Sequence, residues 1–429
     1  MTFVPMHVVV ITGIMDAKDN TSKGVIMHPV DCDIHEGARD GPPVGPTALL
    51  ARSSGPEDVG TGQPGPSDPA GPPIAYGAIP EHCLPPPTIL ATIGVGEAAG
   101  ELVVSPDGCH VYVGRRTSVA VLSRLNNIVG VIPTGGQPKE LAISADGSRL
   151  YVTGYDGSVS VVDATEWTTP RRVMVIPGAS AAREVITADG ALIYVAHHAH
   201  DGCGWISVHD SAGGMLAAIP GESGWAGYTI ADLAVNPDGT RVYVGWSRHS
   251  AYRQYGHGFI SVIDTAAPAV IDTIDLRGRL DGITVSPDGS RMYATHADSQ
   301  SVSAVDLATH RVTPIALQDE PLALAFTPDS VTAYVAGSCS LSIIDTVTNE
   351  ADRIMVGDLP RSVQISPDGK CAFIGDFGAR GVSVIDTVAG CVVGTIDIGG
   401  YPQGLAISPD GCRLYVSDYW SGLVTVVGI

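Results

Sequence analysis

The chain repeats a four-residue motif eight times at nearly constant spacing, and this regularity governs every inference about its fold. The motif is Ser-Pro-Asp-Gly or a close variant, and successive copies are 39, 43, 49, 50, 41, 39 and 42 residues apart. The copies begin at Ser105, Ser144, Thr187, Asn236, Ser286, Thr327, Ser366 and Ser408. A repeat of this length indicates a series of similar units, each too small to form a core alone.

Each copy of the motif lies in the same pattern of alternating residues. Proline at the second position and glycine at the fourth suit a type I turn that closes a hairpin. The strand after the turn carries a central aromatic residue, and third and fourth strands follow, such as Ile260–Asp264 and Val393–Ile396. The aromatic residues are Tyr112, Tyr151, Tyr194, Tyr243, Tyr293, Tyr334, Phe373 and Tyr415. Alternation with a period of two predicts β-strands and no long helices.

Four strands in about 40–45 residues, repeated along the chain, are typical of a β-propeller. Residues 88–429 therefore predict an all-β, eight-bladed β-propeller, and seven blades is the alternative if one copy is degenerate. Thr88–Ile93 matches the fourth strand of a blade, whereas the last segment, Leu423–Val427, matches the third. We expect the first strand to complete the last blade, because closure removes exposed sheet edges.

Three segments resemble the YVTN family of β-propeller repeats. They are SPDGCRLYVSD at 408–418, SADGSRLYVTG at 144–154 and VSVIDT at 382–387. The resemblance covers about four fifths of the chain and implies the propeller fold, but it implies no shared catalytic motif. Members of this family often act at or beyond the cell envelope, so the resemblance favours an extracytoplasmic location. The first fourteen residues lack the features of a signal peptide and leave this expectation unsupported.

Residues 1–87 differ in composition from the repeats. They hold fifteen of the 31 prolines, and residues 41–87 consist largely of Pro, Gly, Ala, Ser and acidic residues. Such a segment buries too little apolar surface to offset the loss of chain entropy. We therefore predict a disordered leader at 1–87 and a propeller at 88–429.

The repeat is interrupted by three insertions, which fall in the two long spacings, 49 and 50. They are His197–Trp205, Gly221–Tyr228 and Trp246–His257, and His296 occupies a related position in the next repeat. Loops that begin a blade and loops that follow its second strand lie on the same rim, opposite the Ser-Pro-Asp-Gly turns. The insertions should therefore form one patch on blades 3–5, and departures from a repeat are where function is expected.

The predicted patch has the residue types of a recognition surface. Tryptophan, tyrosine and arginine dominate binding hot spots, so a binding scaffold for a protein, peptide or glycan is the first hypothesis. The predicted ligand-binding residues are Trp205, Glu222, Trp225, Tyr228, Trp246, Arg248, Tyr252, Arg253 and Tyr255.

Two other functional readings of the same patch stay open, beside the reading that the insertions merely cover blade edges and their histidines are incidental surface residues. Six of the thirteen histidines lie in or beside it, and imidazole is a ligand for transition metals. The predicted metal ligands are His197, His198, His249 and His296; otherwise no cofactor is predicted. The second reading follows from the resemblance, because related propellers include lactonases and quinone- or haem-dependent oxidoreductases. It is a lactonase-like hydrolase or an oxidoreductase, metal-dependent or not, with a polar or metal-bearing pocket at the channel mouth. Its candidate residues are Lys139, Arg183, Asp232, Asp281, Arg361, Asp376 and Asp418, and no known catalytic motif accompanies them.

Charge and hydrophobicity restrict the partners. A net charge of −21 argues against nucleic acid, because phosphate binding needs a basic surface. No run of eighteen apolar residues occurs, so no membrane insertion by a helix is expected. A closed ring leaves no strand edge to pair with a second copy, which predicts a monomer. The cysteines are scattered, and Cys109 and Cys412, on neighbouring blades, are predicted to be free thiols.

Overall fold

The computed structural model describes most of the chain after residue 86. The described residues are 87–96, 98–155, 158–167, 171–175, 179–187, 190–199, 204–220, 228–248, 256–276 and 278–429, with the backbone alone at 171–175, 179–186 and 198–199. The predicted leader lies outside these residues, apart from Pro87. No helix in this part of the chain is long and apolar enough to cross a membrane.

The described residues form an all-β structure of 32 strands. In chain order the strands are β1 Thr88–Gly94, β2 Leu102–Val104, β3 His110–Arg115, β4 Ser118–Ser123, β5 Ile128–Pro133, β6 Pro138–Ile143, β7 Arg149–Gly154, β8 Ser158–Asp163, β9 Arg171–Val175, β10 Ala179–Ile186, β11 Leu192–Ala199, β12 Gly204–Asp210, β13 Met215–Pro220, β14 Tyr228–Val235, β15 Arg241–Arg248, β16 His257–Asp264, β17 Ala269–Asp275, β18 Gly282–Val285, β19 Arg291–His296, β20 Ser301–Asp306, β21 Val312–Ala316, β22 Ala323–Phe326, β23 Thr332–Ala336, β24 Ser340–Asp345, β25 Ala351–Met355, β26 Pro360–Ile365, β27 Cys371–Asp376, β28 Gly381–Asp386, β29 Cys391–Asp397, β30 Pro402–Ile407, β31 Arg413–Asp418 and β32 Leu423–Gly428. A single turn of 3-10 helix, Ala297–Ser299, follows β19.

The strands form eight antiparallel four-stranded sheets, the blades of a β-propeller. Blade 1 is β2–β5, blade 2 is β6–β9, and the series continues four strands at a time to blade 7, β26–β29. Blade 8 has the order β1-β32-β31-β30, so the first strand of the described chain is its outermost strand. The pairing of Ile89 with Val427 and of Gly94 with Leu423 fixes this register. The predictions of eight blades and of closure by the first strand are confirmed.

The turns that begin with serine or threonine and are fully described, in blades 1, 2 and 5 to 8, share one pattern of hydrogen bonds. In blade 1 the Ser105 hydroxyl donates to Asp107 Oδ1 at 2.5 Å, and the same oxygen accepts the Cys109 amide at 2.9 Å. Gly108 has a φ of 67°, in the left-handed region where glycine carries no steric cost. The bond from the serine hydroxyl stabilises the carboxylate and holds the pKa of Asp107 below its ordinary value.

Neighbouring turns also contact one another. A Cβ on Gly289 of blade 5 would lie 3.2 Å from the ring of Pro237, in the turn of blade 4. The same proline–glycine contact recurs around the ring at Gly147 and Pro106, Gly369 and Pro328, Gly411 and Pro367, and Gly108 and Pro409. In blade 6 Ser330 replaces the glycine, and its hydroxyl accepts the amide of Asp288 from blade 5 at 3.0 Å. The motif therefore links adjacent blades as well as closing hairpins.

The hydrophobic core lies between adjacent blades. Between blades 3 and 4, for example, Tyr194 and Ile206 of one blade pack with Ile230 and Phe259 of the other. Because aromatic residues are only 6% of the chain, Val, Ile, Leu and Ala supply most of this packing. Full burial of one such aliphatic side chain contributes about 1.5–3 kcal/mol. The exposed thiols of Cys109 and Cys412 are both free, as predicted.

Candidate functional site

The start of each innermost strand lies beside the end of the second strand, and both belong to the rim opposite the turns, here called the upper rim. In blade 4, Tyr228 at the start of β14 pairs with Arg248 at the end of β15. Arg248 in turn pairs with His257, the first residue of β16. The structure therefore brings together residues that the sequence distributes over two different insertions.

Four side chains cross the upper edge of blade 4 and are named the blade 4 row: Tyr228, Arg248, His257 and Asp275. The Tyr228 hydroxyl lies 3.0 Å from His257 Nδ1, and His257 Nε2 lies 3.1 Å from Asp275 Oδ1. The Arg248 guanidinium lies over the Tyr228 ring, 5.8 Å from its centroid. If Nε2 carries the proton that is donated to Asp275, Nδ1 accepts the phenolic proton of Tyr228. The row then joins a phenol, an imidazole and a carboxylate.

The structure places Trp246 in the core, although the sequence predicted it on the rim surface. Its side chain is 1% exposed, and its indole N–H donates to Ser261 Oγ at 3.0 Å. A Cβ on Gly204 of blade 3 would come within 2.8 Å of the indole, so this glycine makes room for it. The ring therefore joins blades 3 and 4 and does not face a ligand. Trp205 is partly exposed and stacks on His197, with ring centroids 4.3 Å apart.

His197 and His296 are buried as well, at equivalent positions three residues after the recurrent tyrosine. His197 Nε2 is hydrogen-bonded to Ser207 Oγ at 2.7 Å, and His296 Nε2 to Ser303 Oγ at 2.9 Å. His296 Nδ1 also donates to the Arg279 carbonyl at 2.7 Å, and its burial lowers the pKa of the imidazole. Each histidine thus satisfies a buried serine on the third strand of its own blade.

The described residues assemble no metal site. Nowhere in the ranges given above do three or more His, Cys, Asp or Glu side chains lie close enough to share an ion. Of the other predicted ligands, His249 lies outside the described residues and His198 is described by its backbone alone. The metal site therefore stays a prediction that depends on these two positions. Glu222, Trp225, Tyr252, Arg253 and Tyr255 also lie outside the described residues.

Several polar candidates for a catalytic pocket have structural roles. Asp232 accepts the amide of Leu233 with one oxygen and, with the other, the amide of Ile283 in blade 5. Asp281 accepts the Ala297 amide at 2.8 Å and pairs with Arg279 at 3.0 Å. Asp418 accepts the Ser421 hydroxyl at 2.6 Å, and the side chain of Arg183 is not described. These carboxylates hold loops and blades together.

Asp376 differs from the other carboxyl groups of the upper rim. It is 1% exposed; Oδ2 accepts the Ser383 hydroxyl at 2.5 Å, and Oδ1 is buried without a hydrogen-bond partner among the described residues. Burial, with a smaller contribution from the charge of Asp358, raises the pKa of Asp376 to about 6. This group titrates close to neutral pH.

Lys139 and Arg361 lie over aromatic rings that the sequence did not single out. The Lys139 ammonium is 6.0 Å from the Tyr155 ring centroid, and the Arg361 guanidinium is 4.5 Å from that of Phe377. These rings lie outside the insertions, which is why a search for interruptions of the repeat missed them. The available signal in the sequence was a cation directly after the proline that begins the innermost strand, combined with an aromatic residue directly after the second strand.

Comparison with known proteins supports the fold. No protein-family model matches the chain, and no curated protein matches it. Hydrazine synthase from Kuenenia stuttgartiensis is 20% identical, with a TM-score of 0.54 over 78% of this chain and 96% of that one. The β-propeller domain of Cps50 (Swd1) from Myceliophteria thermophila is 10% identical, with a TM-score of 0.56 over 80% and 100% of the two chains. At this identity the likeness shows the propeller fold alone, so membership of the YVTN family stays a prediction.

Proposed function

We propose that the protein is a binding scaffold that recognises a protein, peptide or glycan ligand through the upper rim of blades 3–5. The observation that carries this proposal is the blade 4 row. It presents an arginine, a tyrosine, a histidine and a carboxylate side by side at the edge of a rigid sheet. Arginine and tyrosine are the residues most often found at binding hot spots.

The surroundings of the blade 4 row support recognition. Tyr228 rests edge-on against Phe259, with centroids 5.2 Å apart, and Phe259 packs on the buried Trp246. Core packing therefore holds the Tyr228 ring in place while its hydroxyl remains in the row. Preorganised aromatic groups of this kind lose little entropy on binding. The sequence places both long insertions of blade 4 directly beside the row.

Array binding of the whole protein tests the proposal. Labelled wild-type protein and an Arg248→Ala variant are applied to a glycan array and a peptide array. We expect a ligand whose signal falls at least about tenfold in the variant, because charge-assisted hydrogen bonds contribute about 1.5–3 kcal/mol. Arg311→Ala is the matched control, since Arg311 is an exposed arginine next to β21, on the side of the turns. Equal loss in both variants, or no loss in Arg248→Ala, would contradict the proposal.

A propeller enzyme is the second candidate, and one observation favours it. The imidazole of His257 lies between a phenol and a carboxylate, at 3.0 and 3.1 Å, an arrangement suited to general acid–base catalysis. One of the two similar structures described above is that of a protein named as a synthase. The propeller architecture is therefore compatible with catalysis. A panel of lactone and ester substrates tests this candidate. The enzyme candidate is supported if the wild type hydrolyses one of these substrates and the His257→Gln variant does not. The variant must have the melting temperature of the wild type.

A further inference from the structure

A second surface of the upper rim lies on blades 2, 7 and 8, away from the blade 4 row. In each of these blades the innermost strand has a β-bulge opposite the end of the second strand. The bulged residues are Lys139, Arg361 and Gln403. A bulge changes the direction of a side chain, and bulges are frequent beside binding sites. The innermost strands border the central channel, so these side chains lie at its mouth.

An aromatic residue follows the second strand in each of the same three blades. These residues are Tyr155, Phe377 and Tyr419, and two of them lie beneath the bulged cation of their own blade. Blades 3 and 4 have the same bulge, at Ala182 and Ala231, and the equivalent positions of blades 5 and 6 hold Asp281 and Leu322 without a bulge. The positions four residues after the recurrent aromatic residue hold His198, Ser247, Ala297 and Ser338 in blades 3 to 6. At these two positions of the repeat, a cation and an aromatic residue occur together in blades 2 and 7 and not in blades 3 to 6.

The aromatic side chains of this arc contact each other across blades. Phe377 of blade 7 lies against Tyr401 of blade 8, with ring centroids 4.9 Å apart. Arg380 stacks over Tyr401 at 4.7 Å and donates to its hydroxyl at 2.6 Å. The result is a continuous stack of guanidinium, ring, ring and guanidinium, named the blade 7 arc: Arg361, Phe377, Tyr401 and Arg380.

Arg361 is the member of the arc without a polar partner in the described protein. Its guanidinium is half-buried and forms no hydrogen bond or ion pair with any described residue. Other arginines of this acidic protein do find carboxylates; Arg124 reaches Asp410 at 2.7 Å and Arg241 reaches Asp264 at 2.7 Å. A partly desolvated guanidinium whose donors have no partner in the described protein favours an anion that accepts from them. Burial accordingly lowers the pKa of Arg361.

We propose that the blade 7 arc binds a small aromatic carboxylate at the mouth of the central channel. The carboxylate accepts two parallel hydrogen bonds from the Arg361 guanidinium, the geometry in which arginine binds this group best. The ring of the ligand lies against Phe377 and Tyr401. The site is separate from the blade 4 row and does not depend on it.

Calorimetric titration of the full chain with three probes tests the inference. Benzoate carries both the anion and the ring, acetate carries the anion alone, and benzyl alcohol carries the ring alone. We expect benzoate to bind more tightly than either of the others. An Arg361→Gln variant should weaken benzoate binding at least about tenfold, since it removes charge-assisted hydrogen bonds. Phe377→Leu should weaken it less, because the guanidinium remains.

Two controls separate this inference from a general charge effect and from the proposed function. Arg353→Gln removes an exposed arginine that donates to Gln318 on blade 6, and Arg248→Ala alters the blade 4 row. Both variants should bind benzoate as the wild type does. Thermal unfolding of every variant shows whether a loss of binding reflects a loss of fold. Equal affinity for acetate and benzoate, no binding of benzoate at millimolar concentration, or undiminished binding by a folded Arg361→Gln protein would each overturn the inference.

Discussion

At the scale of single residues, one position in the repeat accounts for four of the buried polar side chains near the upper rim. It lies three residues after the recurrent aromatic residue and is buried between blades. Its occupant reaches a serine on the third strand in four blades, as His197, Trp246, His296 and Asp376. Because a buried hydroxyl must be hydrogen-bonded, this position favours any side chain with a donor or acceptor at the right reach. His197 and His296, which suggest a metal site in the sequence, therefore have a packing role in the structure.

Asp376 makes this position sensitive to pH. Its pKa of about 6 lies above the ordinary value of 3.8, so the folded protein prefers the protonated carboxyl. That stabilisation is complete below the ordinary pKa and is lost as the pH rises through about 6. An Asp376→Asn variant should therefore be more stable than the wild type at pH 8, by up to about 3 kcal/mol, and similar to it at pH 4. Denaturant unfolding at the two pH values measures this.

The matched control for this prediction is Asp352→Asn. Asp352 is an exposed residue of β25 in blade 6, and its substitution should change stability little at either pH. If Asp376→Asn and the wild type have the same stability at pH 8, the Asp376 carboxylate is not desolvated as the structure indicates.

At the scale of elements, glycines in the strands decide how closely two blades approach. Gly245 in β15 faces blade 5, and a Cβ there would stand 2.5 Å from Cδ2 of Leu280. Leu280 is 1% exposed, so its side chain has no open space to move into. Gly394 in β29, an outermost strand, has nothing within 4 Å of such a Cβ. Glycine is therefore required at Gly245 in β15, whereas Gly394 in β29 has room for a larger residue.

Alanine substitutions at these two glycines test the packing between blades. Gly245→Ala should lower the free energy of unfolding by about 1–3 kcal/mol, the usual cost of overpacking a core. Gly394→Ala should change it by less than about 1 kcal/mol, because the added methyl group meets no neighbour. Urea denaturation of both variants gives the comparison. Equal effects would mean that blades 4 and 5 are less closely packed than the structure indicates.

At the scale of the whole molecule, closure of the ring depends on one strand. β1 supplies the outer edge of blade 8, while Arg124 of blade 1 binds Asp410 of the blade 8 turn at 2.7 Å. Without β1 the hydrogen-bonding groups of β32 would be exposed as an unpaired edge, which is a template for association. The ring therefore joins the two ends of the described chain.

Truncation from the N-terminus tests this dependence. A chain lacking residues 1–94 should have a lower melting temperature and form oligomers or aggregates, because it exposes the edge of β32. A chain lacking residues 1–86 keeps β1 and should remain monomeric, with the melting temperature of the full chain. Light scattering after size exclusion, with thermal unfolding, distinguishes the two. A monomeric and fully stable chain without residues 1–94 would show that β1 does not close the ring.

The amino-acid sequence by itself determined the fold of this protein. Hydrogen bonds within the turn, alternation of strand residues and the number of strands per repeat are local properties. A repeated sequence pattern is enough to predict such properties. The repeat register also predicted that the first strand would complete the last blade. The sequence grouped Tyr228, Arg248 and His257 on one rim for the same reason, since strand order fixes which loops share a side.

Only the tertiary structure decided which of these side chains face outward. Trp246, His197 and His296 lie in interruptions of the repeat, yet their rings turn into the space between blades and bond to serines there. Arg361 and Phe377 lie in regular parts of the repeat, yet a bulge and the strand end beside it bring them together at the channel mouth. Burial and contact across blades depend on residues that are distant in the chain. No local pattern encodes those distances, because they arise from the closure of the ring.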